Sequence, residues 1–187
     1  MPASLAPGPC GGCLNQLPFQ QSTQSLFAYQ GAVRDAILAW KLQGHDAALH
    51  WLMKVASRRL ETCLDRRDLL LPVPMPLSRM RKQGRHHAAD LTTWMAQEAG
   101  CAWDWRVLRR QGEQVRQSSL SEKQRQKNLR KAFILDQDYW RESKKHYRRI
   151  WVIDDIITTG ATVHYAAKVA RALQGEVHVL SFSRVVK

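Results

Sequence analysis

Asp154 and Asp155 stand side by side in the stretch VIDDIITTGAT, behind the apolar run IWVI and ahead of Thr158, Thr159, Gly160, Ala161 and Thr162. Adjacent carboxylates repel, and they persist most readily where a cation or a hydroxyl-rich ligand satisfies them. A Thr/Gly turn that opens a helix presents backbone N–H groups, and the hydroxyls of Thr158, Thr159 and Thr162 add donors. That is an anion cradle, with Gly160 free to turn left-handed or to approach a ligand closely. A ligand with ribose hydroxyls at one end and a phosphate at the other meets both halves of the stretch. Helix capping alone is the competing explanation. It accounts for one Thr and leaves the double Asp unexplained. The stretch is no Walker loop, because no Lys follows the glycine in the required place, and it is not G-x-G-x-x-G.

Cations that would complete such a site lie in two other segments. LLLPVPMPLSRMRKQGRHHAADL places Arg79, Arg81, Lys82 and Arg85 just beyond an expected strand end, where they can receive a pyrophosphate directly or beside Mg²⁺. Taken alone, the same residues also read as a solvated basic helix start. RRQGEQVRQSSLSEKQRQKNLRKAFIL, residues 109 to 135, is strongly basic, rich in Gln and poor in core residues, as lids and linkers are. His86 and His87 can contribute charge or proton transfer near a phosphate, but helix-surface polar roles are commoner for such a pair. Of the four cysteines, Cys10 and Cys13 form CGGC, which fits half of a zinc knuckle. PGP before the motif and LNQLP after it exclude a thioredoxin-like strand and helix. Cys63 and Cys101 are isolated and suit small buried roles.

The elements that must position these groups follow from periodicity. Val33, Ile37, Leu38 and Leu42 mark a helix over 29–44 closed by Gly44, and a second helix covers 45–64. DLLLPVP, 68–74, is a short buried strand stopped by prolines. A helix is expected over 85–100, a strand near 103–108, and a strand at AFIL. Beyond the charged hinge RESKKHYRR come strand 149–153, helix 162–174 and strand 176–183. Strands alternating with helices predict an α/β fold with a mainly parallel, twisted sheet flanked by helices, and ligands beyond the carboxyl ends of its strands. Residues 1–28 read as an irregular arm rich in Pro, Gly, Gln and Ser, with the domain proper at 29–187. Trp40, Trp51, Trp94 and Trp151 fall within elements and are assigned to core packing.

Bulk properties agree with one globular domain: 187 residues, 44% hydrophobic, with 29 Lys and Arg against 16 Asp and Glu. A net charge of +13 attracts phosphate-bearing partners without choosing among nucleotides, sugar phosphates and nucleic acid. No run approaches the roughly 18 apolar residues of a membrane span, and no basic flank precedes an apolar signal core. A cytoplasmic location is expected.

VIDDIITTGAT resembles the phosphoribosyl pyrophosphate signature of type I phosphoribosyltransferases. That resemblance implies that Asp154 and Asp155 act on the ribose hydroxyls as the catalytic acids, while Ile157, Thr158, Thr159, Gly160, Ala161 and Thr162 wrap the 5-phosphate. The order PVP…R…G…A, then R…Q…L…R…N…AF, then DD…TTGAT resembles the competence-associated ComF/GntX family of type I phosphoribosyltransferase-like proteins. The second of these segments matches through Arg109 or Arg110, Gln117, Leu120, Arg125, Asn128, Ala132 and Phe133. YQGAVRDAILAWKLQG looks like the family's Y-x-G-x-x-R…K-x-x-G helix. In the first segment His86 and His87 stand where the family usually has Asn and Gln. Members begin with a zinc-binding segment of two or more Cys pairs, of which Cys10 and Cys13 look like the last, an incomplete site without the earlier ligands. The resemblance implies a type I phosphoribosyltransferase-like fold that binds phosphoribosyl pyrophosphate with Mg²⁺ and transfers ribose 5-phosphate to an acceptor. As alternatives to that leading reading it implies an accessory role in DNA uptake, with single-stranded DNA or a helicase as partner, or a sensor of the ligand without turnover.

Overall fold

The computed structural model describes residues 18–111, 129–143 and 146–186. Chain order is β1 (Ser22–Ala28), α1 (Gly31–Gln43), α2 (Asp46–Cys63), β2 (Asp68–Pro72), α3 (Leu77–Gln83) and α4 (His87–Ala99). Then come β3 (Ala102–Trp103), β4 (Leu108–Arg110), β5 (Phe133–Leu135), α5 (Gln137–Ser143), β6 (Arg149–Ile157), α6 (Ala161–Ala170), a 3₁₀ turn (Arg171–Leu173) and β7 (Glu176–Arg184). Five strands form a parallel sheet in the order β1-β7-β6-β2-β3, while β4 and β5 pair antiparallel as a separate ribbon. The α/β expectation of a mainly parallel sheet flanked by helices holds.

The centre of the sheet is dictated by strands apolar on both faces. All five residues of β2 are buried, as is the run Ile150 to Ile153 of β6. Alternation sends Leu69, Leu71, Ile150 and Val152 into one core cluster, with α6 and the β4–β5 ribbon. Leu70, Trp151 and Ile153 go into the other, with α1, α2 and α4. In α2 the spacing of Leu49, Leu52, Ala56 and Leu60 puts one stripe against the sheet.

Gly44, at φ +70°, closes α1, and its N–H bonds back to the carbonyl of Trp40. The chain does not return along the sheet until α2. Lys41, near the end of α1, reaches Asp155 at the carboxyl end of β6, and Asp46 at the start of α2 meets Arg85. Thus α1 crosses above the carboxyl edge of the sheet, and α2 descends to the start of β2.

Several expectations need correction. Residues 22–28 of the expected arm form β1, an edge strand parallel to β7. Its Ser22 and Ser25 hydroxyls bond His178 Nδ1 (2.8 Å) and Ser181 Oγ (2.7 Å). A polar composition mimics a loop, but an edge strand needs only its backbone and one buried side chain, here Leu26. The expected strand 103–108 is broken, because the Asp104 carboxylate accepts the Arg106 N–H at 2.8 Å and turns the chain between β3 and β4. Helix 85–100 begins only at His87, after a separate short α3 ended by Gly84 at φ +66°. Strand β6 runs on to Ile157, so the acidic pair lies within its second half rather than past its end. Helix 162–174 is α6 plus the 3₁₀ turn. Trp40 and Trp151 are core residues, whereas Trp51 is 58% exposed. No helix among the described residues is long and apolar enough to cross a membrane.

Candidate functional site

The acidic pair is built by folding β6 back on its own side chains. Asp155 N–H donates to Asp154 Oδ1 (2.9 Å), and Ile156 N–H donates to Asp155 Oδ1 (2.6 Å). Lys41 Nζ donates to Asp155 Oδ2 at 2.5 Å, and both of these side chains are about one-fifth exposed. Burial first, and then the charge of Asp155, push the Asp154 carboxyl up to about 7. One acid is therefore held by a built-in cation, and its neighbour is poised to give or take a proton near neutrality.

The turn after β6 behaves as its composition requires. Thr158 and Thr159 are exposed, and Gly160 sits at φ +80° as the N-cap of α6. A side chain at Gly160 would meet nothing nearer than Ile157 Cγ2 at 4.0 Å, so the glycine serves the turn's backbone and not close packing. Thr159 Oγ1 accepts the Ala161 N–H at 3.4 Å. Ala161 and Thr162 open α6, whose first-turn N–H groups have no partner within the helix. Ile157 belongs to the strand instead. Its side chain is in the core, and its carbonyl accepts from Val185 N at 2.9 Å.

The cations divide. Arg79, Arg81 and Lys82 lie on the exposed α3, with no ion pair among the described residues. Arg85 is spent on structure: it pairs with Asp46 (2.8 Å) and Asp90 (3.2 Å), tying α4 to α2, and the Asp46 bond raises its pKa. Arg110 lies over the Phe133 ring at 5.3 Å. Burial, with the like charge of Arg79 added, lowers its pKa. Arg79 and Arg110, from separate segments, thus lie within electrostatic reach of each other. Gln117, Arg125, Asn128, Cys10 and Cys13 lie outside the described residues.

His86 and His87 are not the surface groups expected of them. His86 Nδ1 caps α4 by accepting the Ala89 N–H at 3.1 Å. His87 is 4% exposed and packs edge-on to Trp40, with ring centroids 4.6 Å apart. Burial lowers both pKa values, and the Asp155 charge opposes it in both, so the pair sits within electrostatic reach of the acids. Lys41 was missed as a site residue, although it is the lysine of the K-x-x-G pattern. Cys101 is half-buried with its thiol pushed up to about 11 by desolvation, and Cys63 donates to Gln24 Oε1 at 3.1 Å. The raised thiol keeps Cys101 from thiolate chemistry.

No protein-family model matches the chain. The DNA utilization protein YhgH of Salmonella typhimurium is 30% identical over 178 residues, covering 92% of this chain and 74% of that protein. YhgH of Escherichia coli K12 is 28% identical over the same coverage. Competence protein F of Haemophilus influenzae is 28% identical over 88% of this chain and 72% of its own length. Among solved structures, adenine phosphoribosyltransferase from Thermoanaerobacter pseudethanolicus superposes with a TM-score of 0.46 at 15% identity, covering 76% of this chain and 83% of that one. With YhgH matched at this identity along nearly the whole chain, the protein belongs to the ComF family of DNA utilization and competence proteins.

Proposed function

We propose that this protein is an accessory of DNA uptake or utilization whose carboxyl-edge site takes phosphoribosyl pyrophosphate. The observation that carries the first part is the kinship to YhgH and competence protein F along most of the chain. The second part is supported by the acidic pair, the Thr158–Gly160 turn and the α6 N-terminus standing together at one strand end. Asp154 and Asp155 would hold the ribose hydroxyls, the turn the 5-phosphate, and Arg79 with Arg110 the pyrophosphate. The described residues hold no cluster of three or more His, Cys, Asp or Glu able to bind a metal, and Lys41 occupies Asp155. They would fit Mg²⁺ as an ion carried in on the ligand's phosphates, with Asp154 as the carboxylate of the pair that Lys41 does not hold.

Calorimetry of phosphoribosyl pyrophosphate with and without Mg²⁺, on wild type and on Asp154→Ala/Asp155→Ala, tests the ligand. Magnesium-dependent binding lost in the double variant is expected, and silence from a folded wild type overturns it. Complementation of a deletion strain, scored by uptake of or growth on DNA, tests the role. A second reading, transfer of ribose 5-phosphate, is favoured by the carboxyl of Asp154 near 7, since a base poised at ambient pH serves proton transfer best. Pyrophosphate would leave the anomeric carbon as the acceptor enters, through a cation-like state stabilised by the surrounding charges. Pyrophosphate exchange into the ligand is the assay, and its absence with an intact binding isotherm leaves a sensor.

A further inference from the structure

Helix α2 carries two apolar rows, and only one of them is used. The inner stripe, Leu49, Leu52, Ala56 and Leu60, is buried in the core. On the outer face a second row, Ala47, Trp51 and Val55, repeats every four residues, and all three are exposed. Trp51 is 58% exposed and Val55 57%, while Leu42, in the last turn of α1 on the other arm of the hairpin, is 78% exposed. Scattered apolar residues on a surface need no explanation. A Trp and a Val on one ridge, on a helix already anchored by its opposite face, contribute nothing to this core.

Beside that ridge runs a basic row at the same spacing, His50, Lys54 and Arg58, also exposed. Lys54 and Arg58 have no ion pair among the described residues. The other cations of the hairpin are engaged: Lys41 holds Asp155, Arg34 pairs with Asp35 at 3.6 Å, and Arg59 donates to the Leu26 carbonyl at 3.2 Å. The acids of α1, α2 and α4 are accounted for as well. Asp35 has Arg34, and Asp46 and Asp90 both pair with Arg85. Glu61 and Glu98 stand exposed in the last turns of α2 and α4, and in α2 that is beyond the end of both rows. The surface around Trp51 and Val55 is therefore left with uncompensated positive charge.

We infer that the outer face of α2 docks an acidic amphipathic helix of a protein partner, its apolar side chains against Trp51 and Val55 and its carboxylates on Lys54 and Arg58. Rows four residues apart are the ridges between which the rows of a second helix interlock. A tryptophan flanked by cations supplies the anchor and the steering charge of such an interface. Charge decides against a second copy of this chain, which would bring the same basic row to both sides of the contact. A lipid surface fits less well, because interfacial helices present a broad apolar face and this one offers a single narrow ridge. The docking face is independent of the ligand proposed for the carboxyl edge.

The test is fluorescence anisotropy on the full chain with a labelled synthetic helix as long as α2, leucines along one face and glutamates beside them. Wild type should bind it, and should bind the version with lysine for every glutamate about tenfold more weakly or worse. Trp51→Ala should weaken the acidic peptide by about thirtyfold. Lys54→Glu/Arg58→Glu should reverse the preference and take the lysine peptide. All three side chains are exposed, so the variants keep the fold. Trp105→Ala, 61% exposed between β3 and β4, is the control and should change nothing. Equal affinity of the Trp51→Ala and Trp105→Ala proteins overturns the docking face, as does a wild type that binds neither peptide or both alike. Sedimentation equilibrium and flotation with phosphatidylglycerol vesicles cover the other occupants, and Trp51→Ala should alter neither. A dimer that it dissolves, or vesicle binding that it abolishes, gives the face to a second copy or to a membrane and overturns the inference.

Discussion

Acids flank β6 at both ends, Asp68 of the paired β2 beside its start and Asp154 with Asp155 near its finish, and they are treated in opposite ways. At the amino end Asp68, fully buried, receives two bonds from Arg149 (2.9 and 2.7 Å), one from the Trp151 indole (3.0 Å) and one from the Asp65 N–H (2.8 Å). Its acceptor capacity is filled, so nothing is left to offer a ligand. At the carboxyl end, among the described residues, Asp154 accepts the N–H of its neighbour, and Asp155 accepts one N–H and Lys41. The first arrangement locks β2 to β6. The second leaves an acid whose ionisation the fold resists. Unfilled capacity, more than acidity, separates a site from a strut.

Four substitutions sharpen that contrast. The largest effect belongs to Asp68→Ala, which strands the Arg149 guanidinium and the Trp151 N–H. We expect a loss of about 3 kcal/mol in urea unfolding, the low end for a broken buried pair because Arg149 is one-quarter exposed. If the loss is a few tenths, Asp68 is no strut.

Asp154→Asn should act in the other direction. A folded-state carboxyl near 7, against an ordinary value of 3.8, means that the fold prefers the proton. Its stabilising contribution is whole below about pH 4 and is lost as pH rises through about 7. The asparagine protein should therefore be more stable than wild type at pH 8, by about 1–3 kcal/mol, with the gap closing by pH 4. It should also lose ligand binding. A pH-independent gap breaks the assignment.

Lys41→Met removes the cation paired with Asp155. It should cost about 1–2 kcal/mol at neutral pH in thermal or urea unfolding. It should also free a carboxylate for Mg²⁺, strengthening the metal dependence of the calorimetric signal. The smallest effect is expected for Gly160→Ala. The space is open, so only the left-handed backbone resists, at about 1 kcal/mol. Ligand affinity should fall more than stability does if the turn grips phosphate.

Much of this was legible because it is local. IWVI followed by two acids and a Thr/Gly turn specifies strand, pair and helix start within one short stretch, and the structure extends the strand by a few residues only. Gly44, Gly84 and Gly100 stop helices at positive φ, as glycine stops do. What escaped is non-local or polar. β1 hides in a Ser/Gln/Thr-rich stretch because its partner, β7, is at the far end of the chain. Asp68 reads as the first residue of an apolar run, and nothing near it announces Arg149. Arg85 looks like its basic neighbours, yet two aspartates from different helices claim it.

By itself the sequence determined the family, the parallel α/β class and the types of group at the carboxyl edge, since short-range pattern and residue chemistry suffice for these. Only the tertiary structure decided which groups are spent and which are available. The partners of Asp155, His87, Arg85 and Arg110 come from other elements, and burial in the packed fold raises the Asp154 carboxyl and lowers the His87 imidazole. A side chain's chemistry is written in its type, but its freedom to act depends on neighbours that the chain supplies only after folding.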